Sequence, residues 1–355
     1  MSDFWHGRRV LVTGHTGFKG AWLCTWLHRL GAIVTGYSLP PPTRPSLFEL
    51  ARIDQLVDSR LGDVRDLIAL TNALAGSRVE VVFHLAAQPL VMGGYTDPVG
   101  TFDTNVMGTV NLFQAIRSAP TVRAVVNVTT DKCYDNSGNG CAFRESDPIG
   151  GVDPYAASKA CSELVTRAFG ESFFDSAQYG EHGVAIATAR AGNVIGGGDW
   201  GEHRLLPDIV RSFQAHRPVL IRRPGSTRPW QHVIEPLSGY LRLARMLIEA
   251  GPEFNGAWNF GPPSSDARPV SWVVEECVRL WGADSGWLLD TAHHQPEASL
   301  LQLDCSKASS GLAWEPRLSL EQSLQMTLSW YKELAAGADA MRLCDGQIAQ
   351  YEGLA

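Results

Sequence analysis

Short apolar runs alternate with longer stretches of helical period through the first half of the chain. Arg9-Val10-Leu11-Val12-Thr13 reads as a buried strand and Phe18 to Leu30 as a helix. Ile33 to Tyr37 gives a second strand, Asp66 to Leu74 a helix, and Val81 to Leu85 another buried strand. Thr104 to Arg117 reads as a helix, Ala124 to Val128 as a Val-rich strand, Tyr155 to Phe174 as a long helix, and Val184 to Ala189 returns to strand. Continuously apolar strands separated by helices predict a parallel sheet covered on both faces.

The texture changes after about Ala191. Gly196-Gly197-Gly198 and several prolines interrupt the pattern, and helices are expected at Leu206 to Ala215, Pro236 to Ala250, Ser271 to Leu280 and Leu320 to Leu334. Trp258-Asn259-Phe260 reads as one more strand returning to the sheet. The expected organisation is a nucleotide-binding unit over residues 1–190 with a return around 232–261. A smaller, interleaved C-terminal α/β substrate lobe covers 191–231 and 262–335, and an appendage covers 336–355. Pro40-Pro41-Pro42 is a stiff loop.

The chain has 355 residues and a formal net charge of −7 without long charge runs. It has no basic stripe, which argues against nucleic acid as a partner. The longest apolar run, around Val79 to Ala87, is far too short to cross a bilayer and contains Glu80 and His84. The first residues carry no apolar signal segment, so a cytoplasmic protein is expected. Seven cysteines (Cys24, Cys133, Cys141, Cys161, Cys277, Cys305 and Cys344) are scattered without paired spacing. They read as reduced thiols, with neither a disulfide frame nor a metal site.

Gly14-His15-Thr16-Gly17-Phe18-Lys19-Gly20 follows the first strand and opens the first helix. A glycine turn there lets backbone N–H groups approach a pyrophosphate at the positive helix end, which makes the sheet Rossmann-like and doubly wound. The spacing is G-x-x-G-x-x-G. His15 and Lys19 either contact the phosphates or are solvated loop residues. Asp63-Val64, after a third strand segment, is a candidate adenine contact, and Leu85-Ala86-Ala87-Gln88 is small enough for a cofactor to lie close. The second strand ends at Gly36-Tyr37-Ser38-Leu39 with neither an acidic residue nor an immediate Arg, so these residues leave NAD and NADP open.

Tyr155 and Lys159 stand four residues apart at a helix start and share one face. A tyrosine is a poor base at its usual pKa of about 10. A nearby ammonium and a nicotinamide cation favour the phenolate, which then takes a proton from a hydroxyl while the adjacent carbon gives up hydride. Thr130-Asp131-Lys132 adds an acid and an amine beside a hydroxyl, the set needed to expel water. Adjacent Asp and Lys prefer an ion pair, the wrong state for both tasks. Consecutive strand residues also face opposite ways, so the strand must end near Thr130 in a loop.

Over nearly its whole length the chain resembles the extended short-chain dehydrogenase/reductase family, and within it the CDP-glucose 4,6-dehydratases. The residues carrying the likeness are Gly14 to Gly20, Thr104-Asn105-Val106-Met107-Gly108-Thr109, Thr130-Asp131-Lys132-Cys133-Tyr134, Asp153-Pro154-Tyr155 and Lys159. Arg190-Ala191-Gly192-Asn193-Val194-Ile195-Gly196-Gly197-Gly198-Asp199-Trp200, Arg228-Pro229-Trp230-Gln231-His232-Val233 and Trp258 to Pro262 extend it.

The resemblance implies a regenerated NAD and a CDP-glucose or related nucleotide-sugar substrate used in deoxysugar biosynthesis. Tyr155 would take the C4 hydroxyl proton, Thr130 hold the C4 oxygen, Lys159 orient the cofactor ribose, Lys132 remove the C5 proton and Asp131 protonate the leaving C6 hydroxyl. It places Thr104 at the cofactor and Gln88, Asn193, Arg204, Arg228 and Glu297 at the substrate. The tryptophans Trp200, Trp230 and Trp258 are expected in packing. It also implies a homo-oligomer, a dimer or tetramer, paired through the helices Thr104–Arg117 and Tyr155–Phe174. The alternatives are another nucleotide-sugar 4,6-dehydratase, a nucleotide-sugar epimerase, or a non-enzymatic nucleotide sensor.

Two segments depart from the family. Met92-Gly93-Gly94 stands where relatives usually carry Arg-x-Ser, removing a charge and a hydroxyl near the expected sugar site and loosening that loop. Asn136 to Phe143 lacks the tryptophans often found there. Both bear on substrate affinity and choice.

Overall fold

The computed structural model describes residues 2–136, 142–284, 286–292 and 301–354. Seven strands form one parallel sheet: β1 Arg9–Thr13, β2 Ile33–Ser38, β3 Asp58–Leu61, β4 Val81–His84, β5 Ala124–Val128, β6 Ala185–Ala191 and β7 Gly256–Phe260. Their order is β7-β6-β5-β4-β1-β2-β3. The chain therefore reverses direction across the sheet between β1 and β4, and a doubly wound sheet opens a crevice there at the carboxyl ends of its strands. The strands β1, β4, β5 and β6 are apolar because helices cover both faces, and β4, β5 and β6 are buried throughout.

Registers are regular. Val10 stands beside both Val34 and Val81, and Val126 beside Phe83 and Ala187. Trp258-Asn259-Phe260 does return to the sheet, with Trp258 beside Ala189. The helices Phe18–Arg29, Leu67–Ala75 and Gly108–Ile116 lie within a few residues of expectation, as do Leu205–Gln214, Ile234–Glu249, Val270–Trp281 and Leu320–Ala335. The expected helix from Thr104 begins differently: a π-helical turn, Asp103–Met107, precedes its regular part. The 191–231 and 262–335 segments carry short strand pairs, Val194–Ile195 with Gln231–His232, Val219–Ile221 with Trp287–Leu289, and Thr227–Arg228 with Arg268–Pro269.

Residues 340–352 form a helix packed on Phe18–Arg29. Trp26 donates its indole N–H to Glu352 (2.9 Å), and Arg29 pairs with Asp345 and Glu352. Beneath them the buried Glu235 carboxylate accepts from Tyr351 Oη (2.8 Å) and from the backbone N–H groups of Arg317 and Leu318, both at 2.7 Å. No helix among the described residues is long and apolar enough to cross a membrane. The six described cysteines are free, and no cluster of metal-ligating side chains occurs among the described residues.

Replacing Tyr351 by Phe takes one donor from a buried carboxylate, which costs about 1–3 kcal/mol when the acceptor is left short. Tyr351→Phe is therefore expected to lower the unfolding free energy by that amount, read as a lower urea midpoint at unchanged m-value; an unchanged midpoint would show that Glu235 does not depend on the C-terminal helix.

Candidate active site

At the crevice the end of β1 is tied to the end of β4. Thr13 Oγ1 contacts His84 Nδ1 at 2.7 Å and accepts the N–H groups of Leu85 and Ala86, each at 3.2 Å. Gly14 follows with φ +77°, where a Cβ would stand 2.7 Å from Ala86 N, and a Cβ on Gly20 would stand 2.1 Å from the Gly14 carbonyl oxygen. No side chain is admitted at either place, which explains two of the three glycines. Gly17 caps the helix without a side-chain hydrogen bond, leaving the first-turn N–H groups of Phe18, Lys19 and Gly20 without a side-chain acceptor at the cap. Gly14, Gly17, Phe18, Gly20, Leu85 and Ala86 thus share one turn region, with Ala87 next in the loop.

His15 is not a solvated loop residue. Its ring is fully buried, with Nε2 2.7 Å from Ser59 Oγ and an edge contact to Phe48. Burial pushes its pKa down to about 4, so it is neutral and brings no charge to a phosphate. Lys19 is no solvated loop residue either. Its amine donates to Tyr240 Oη at 3.1 Å, and burial, then Lys159 and Arg204, push it down to about 7 against the opposing pull of Asp131. The Asp63 carboxylate is committed to Arg65, which holds its pKa low, and Val64 is buried behind it. Thr104 lies in the π-helical turn. Beside it Asn105 binds both backbone groups of Gln88, N–H at 2.8 Å and C=O at 3.1 Å, and Ser158 Oγ at 2.8 Å.

β5 ends at Val128, and a 3₁₀ turn, Asp131–Cys133, begins three residues later. The strand has therefore ended before Thr130, as the opposed facing of strand residues requires. Thr130 caps the turn: its hydroxyl accepts the Lys132 N–H (3.3 Å) and donates to Asp131 Oδ1 (3.1 Å). Asp131 is 1% exposed, and its Oδ2 has no hydrogen-bond partner among the described residues. The expected ion pair with Lys132 is not formed, because Asp131 turns to Thr130 while the half-buried Lys132 amine makes no salt bridge among the described residues.

The helix Pro154–Phe173 starts on Asp153, whose carboxylate accepts the Ala156 N–H (2.9 Å), with Pro154 in the first turn. It presents Tyr155 and Lys159, both buried, on one stripe. Lys159 Nζ donates to the Val128 carbonyl at 3.0 Å, and burial brings it down to about 8, partly offset by Glu163. Burial drives Tyr155 up to about 12, against a hydrogen bond with Thr130 that lowers it. Asp131 and Arg204 also act on Tyr155, while Asp131, Lys159 and Arg204 act on Lys19. Thr130, Asp131, Tyr155, Lys159, Lys19 and Arg204 therefore share one electrostatic neighbourhood.

Arg204 reaches it while paired with Asp199 at 2.9 Å. Arg228 is buried on its short strand, and the Asn193 carboxamide oxygen is buried without a partner among the described residues. Gln88 differs from expectation: its amide is spent on Leu90 and Thr101, at 2.6–3.0 Å, so its side chain braces the loop. Glu297 lies outside the described residues. Met92-Gly93-Gly94 is a short helix, Val91–Thr96, rather than a loose loop. A Cβ on Gly94 would stand 3.0 Å from Tyr155 N, so this glycine lets the segment close on the start of the Tyr155 helix. Trp230 and Trp258 are buried, and Trp200 packs edge-on against Trp330 and Tyr331.

A Rossmann-like sheet with a glycine turn at its switch point and a Tyr-Lys pair beside a buried carboxylate defines a dinucleotide-dependent enzyme class. The profile of the NAD dependent epimerase/dehydratase family matches residues 10–257, and the chain belongs to that family. It is 51% identical over 349 residues to a CDP-glucose 4,6-dehydratase of Salmonella typhimurium, covering 98% of this chain and 97% of that protein. A dTDP-glucose 4,6-dehydratase of Xanthomonas campestris is 26% identical over 76% of this chain and 77% of its own. Among solved structures, dTDP-glucose 4,6-dehydratase from Bacillus anthracis in complex with NAD matches with a TM-score of 0.77 at 22% identity, covering 94% of this chain and 100% of that one. UDP-glucose 4-epimerase with UDP-glucose from Thermotoga maritima gives 0.78 at 20%, covering 92% and 99%. At these identities the structures speak for the fold.

His84 and His232 are both buried, and burial pushes each down to about 3. In the unfolded chain they titrate near 6.5, so between those values the unfolded state holds more protons and stability rises with pH. These two groups are expected to give a slope approaching about 2.7 kcal/mol per pH unit between pH 6.5 and 3. Urea unfolding across that range checks it, and His232→Gln is expected to flatten the slope by about 1.4 kcal/mol per unit.

Proposed function

We propose that the chain converts CDP-glucose to CDP-4-keto-6-deoxyglucose and water. The Thr130-Asp131-Lys132 turn supports this reading, since Thr130 and Asp131 act on Tyr155, Asp131 keeps a buried carboxylate oxygen without a hydrogen-bond partner among the described residues, and Lys132 follows directly in the same turn. The choice of nucleotide rests on the likeness to the Salmonella typhimurium enzyme.

The residues at the crevice fit a dinucleotide. Gly14 and Gly20 leave no room for side chains, and the helix Phe18–Arg29 has no side-chain cap at its first turn. Gly14, Gly17, Phe18 and Gly20, beside Leu85, Ala86 and Ala87, would hold NAD there, and bound NAD would supply the acceptor and donor of hydride. Tyr155 takes the C4 hydroxyl proton as the C4 hydrogen leaves as hydride. Burial raises its phenol, and the hydrogen bond with Thr130 and the nearby charge of Arg204 work against that rise and ease release of the proton. Thr130 holds the C4 oxygen.

The new C4 carbonyl acidifies the C5 hydrogen, which Lys132 removes as a free amine. Asp131, in its protonated form, gives its proton to the departing C6 hydroxyl, and water leaves. Hydride returns to C6 and a proton to C5, so there is no net oxidation. Asn193, Arg204 and Arg228 bind the diphosphate and ribose in this reading, Arg offering paired hydrogen bonds to phosphate oxygens. A homodimer fits the partly exposed Phe102, Met107 and Leu164 on or next to the helices expected to pair. A cytoplasmic setting suits the free cysteines among the described residues.

Incubation with CDP-glucose carrying deuterium at C4 is expected to give a 4-keto-6-deoxy product with the label at C6. Inversion at C4 without loss of water would make the chain an epimerase, and cofactor binding without turnover of any nucleotide sugar would make it a binding protein. Lys132→Ala is expected to keep C4 oxidation while C5 exchange with solvent falls by at least about 100-fold; normal exchange would remove Lys132 from the base role.

A further inference from the structure

The stripe that carries Tyr155 and Lys159 continues one turn further to Glu163, which is 5% exposed. Its carboxylate accepts from Thr129 Oγ1, from Thr188 Oγ1 at 2.7 Å, and from Arg190 through Nε at 3.0 Å and Nη2 at 2.8 Å. Arg190 is itself 4% exposed and paired side-on with that carboxylate. Its remaining nitrogen, Nη1, donates to Tyr134 Oη at 2.8 Å, and Tyr134 donates onward to Asn259 Oδ1 at 2.7 Å. The Tyr134 ring lies under the guanidinium (4.8 Å) and stacks on Phe143 with centroids 4.8 Å apart.

Thr129 and Tyr134 bracket the turn that holds Thr130, Asp131 and Lys132. One end of the turn hangs on the carboxylate and the other on its guanidinium partner. Within the turn the side-chain bonds are long, the Thr130 hydroxyl accepting the Lys132 N–H at 3.3 Å and donating to Asp131 at 3.1 Å. The backbone bonds closing it are long as well, Cys133 N–H to Thr130 C=O at 3.4 Å and Tyr134 N–H to Asp131 C=O at 3.5 Å. Gly150 N–H holds the Cys133 carbonyl at 2.8 Å from outside the turn; a turn so weakly braced from within otherwise takes its position from its ends.

We propose that the Glu163–Arg190 pair, acting through Thr129 and Tyr134, is a positioning device for the elimination half of the reaction, fixing where Asp131 and Lys132 stand. The proposal rests on the dehydratase reading above. Of the groups that act in oxidation, Thr130 alone caps the turn, while Tyr155 and Lys159 sit on a regular helix; both elimination groups lie within the turn, so loss of water should suffer more than oxidation at C4 when the clamp is loosened. A reacting group displaced by about 1 Å costs on the order of 100-fold in rate.

Tyr134→Phe removes one hydroxyl and keeps the ion pair and the ring stack. Single-turnover absorbance of the reduced cofactor reads C4 oxidation, and product formation with deuterium uptake at C5 reads elimination. The expected result is oxidation within about twofold of wild type, KM for CDP-glucose likewise, and elimination slower by about 10- to 100-fold, with the oxidised intermediate accumulating. Glu163→Gln is expected to show the same split more strongly; Tyr134→Phe alone decides the matter where Glu163→Gln does not fold, because it leaves the buried charges matched. Oxidation and elimination falling together, or neither changing, would overturn the proposal and leave the pair as framework. Wild-type turnover is the separate check on the reading itself: an active dehydratase with an unsplit variant sinks only the clamp, and a wild type that does not dehydrate sinks both.

Discussion

The end of β5 at Val128 is the constraint on which the site depends. Three consecutive residues on a regular strand point to alternating faces, so Thr130, Asp131 and Lys132 have no common site unless the chain leaves the sheet first. Two bonds are in place where it leaves: the Val128 carbonyl accepts from Lys159 Nζ at 3.0 Å, and the Thr129 N–H completes the last ladder bond to Ala189 at 2.9 Å. The same lysine that belongs to the redox pair thus meets the strand end that carries the elimination pair. Strand, helix and turn are joined at one carbonyl.

Burial then decides the charges. Lys19 and Lys159 lie in surroundings that disfavour ammonium, and their pKa values come down to about 7 and about 8. Tyr155 moves the other way, to about 12. Asp131 draws Lys19 upward, so the carboxylate and the buried amines compensate one another across the site and not through a contact pair. Because Asp131 is not locked to Lys132, neither side chain has to break an ion pair before it exchanges a proton. The difficulty raised by their adjacency in sequence is relieved at the turn, where Asp131 takes its hydrogen bond from Thr130.

What the sequence revealed tracks how local each signal is. The strands β1, β4, β5 and β6 and the long helices were legible because burial on both faces writes continuous apolar runs and helical period into the chain. β3 was visible only as an unspecified segment, since Asp58, Ser59, Arg60 and Leu61 form a partly exposed strand at the sheet edge without such a run. The helix Val91–Thr96 was taken for a loose loop because Gly93-Gly94 disfavours helix locally; its packing against Tyr155 supplied what propensity did not. In the site, Tyr155, Lys159 and the Thr130 turn were legible from spacing. The burial of His15 and Lys19 was not legible because their partners are distant, Ser59 lying 44 residues away and Tyr240 lying 221 away. Gln88 looked available because its three acceptors and donors, two on Leu90 and one on Thr101, are not implied by its neighbours' types.

Arg190 stood in a matched motif and Glu163 four residues beyond Lys159, but nothing in the sequence joins positions 163 and 190. A buried ion pair is weak evidence for stability, because desolvation takes back most of what attraction gives. What such a pair adds over apolar packing is direction. Each oxygen of Glu163 accepts two bonds, one from Arg190 and one from a threonine, Thr129 or Thr188, and Arg190 spends its last nitrogen on Tyr134. A network satisfied to that degree has one arrangement, whereas leucines of equal volume fill the space in several. A weakly braced turn with acid and amine on it needs that single arrangement, and the buried charges are where the fold meets the need.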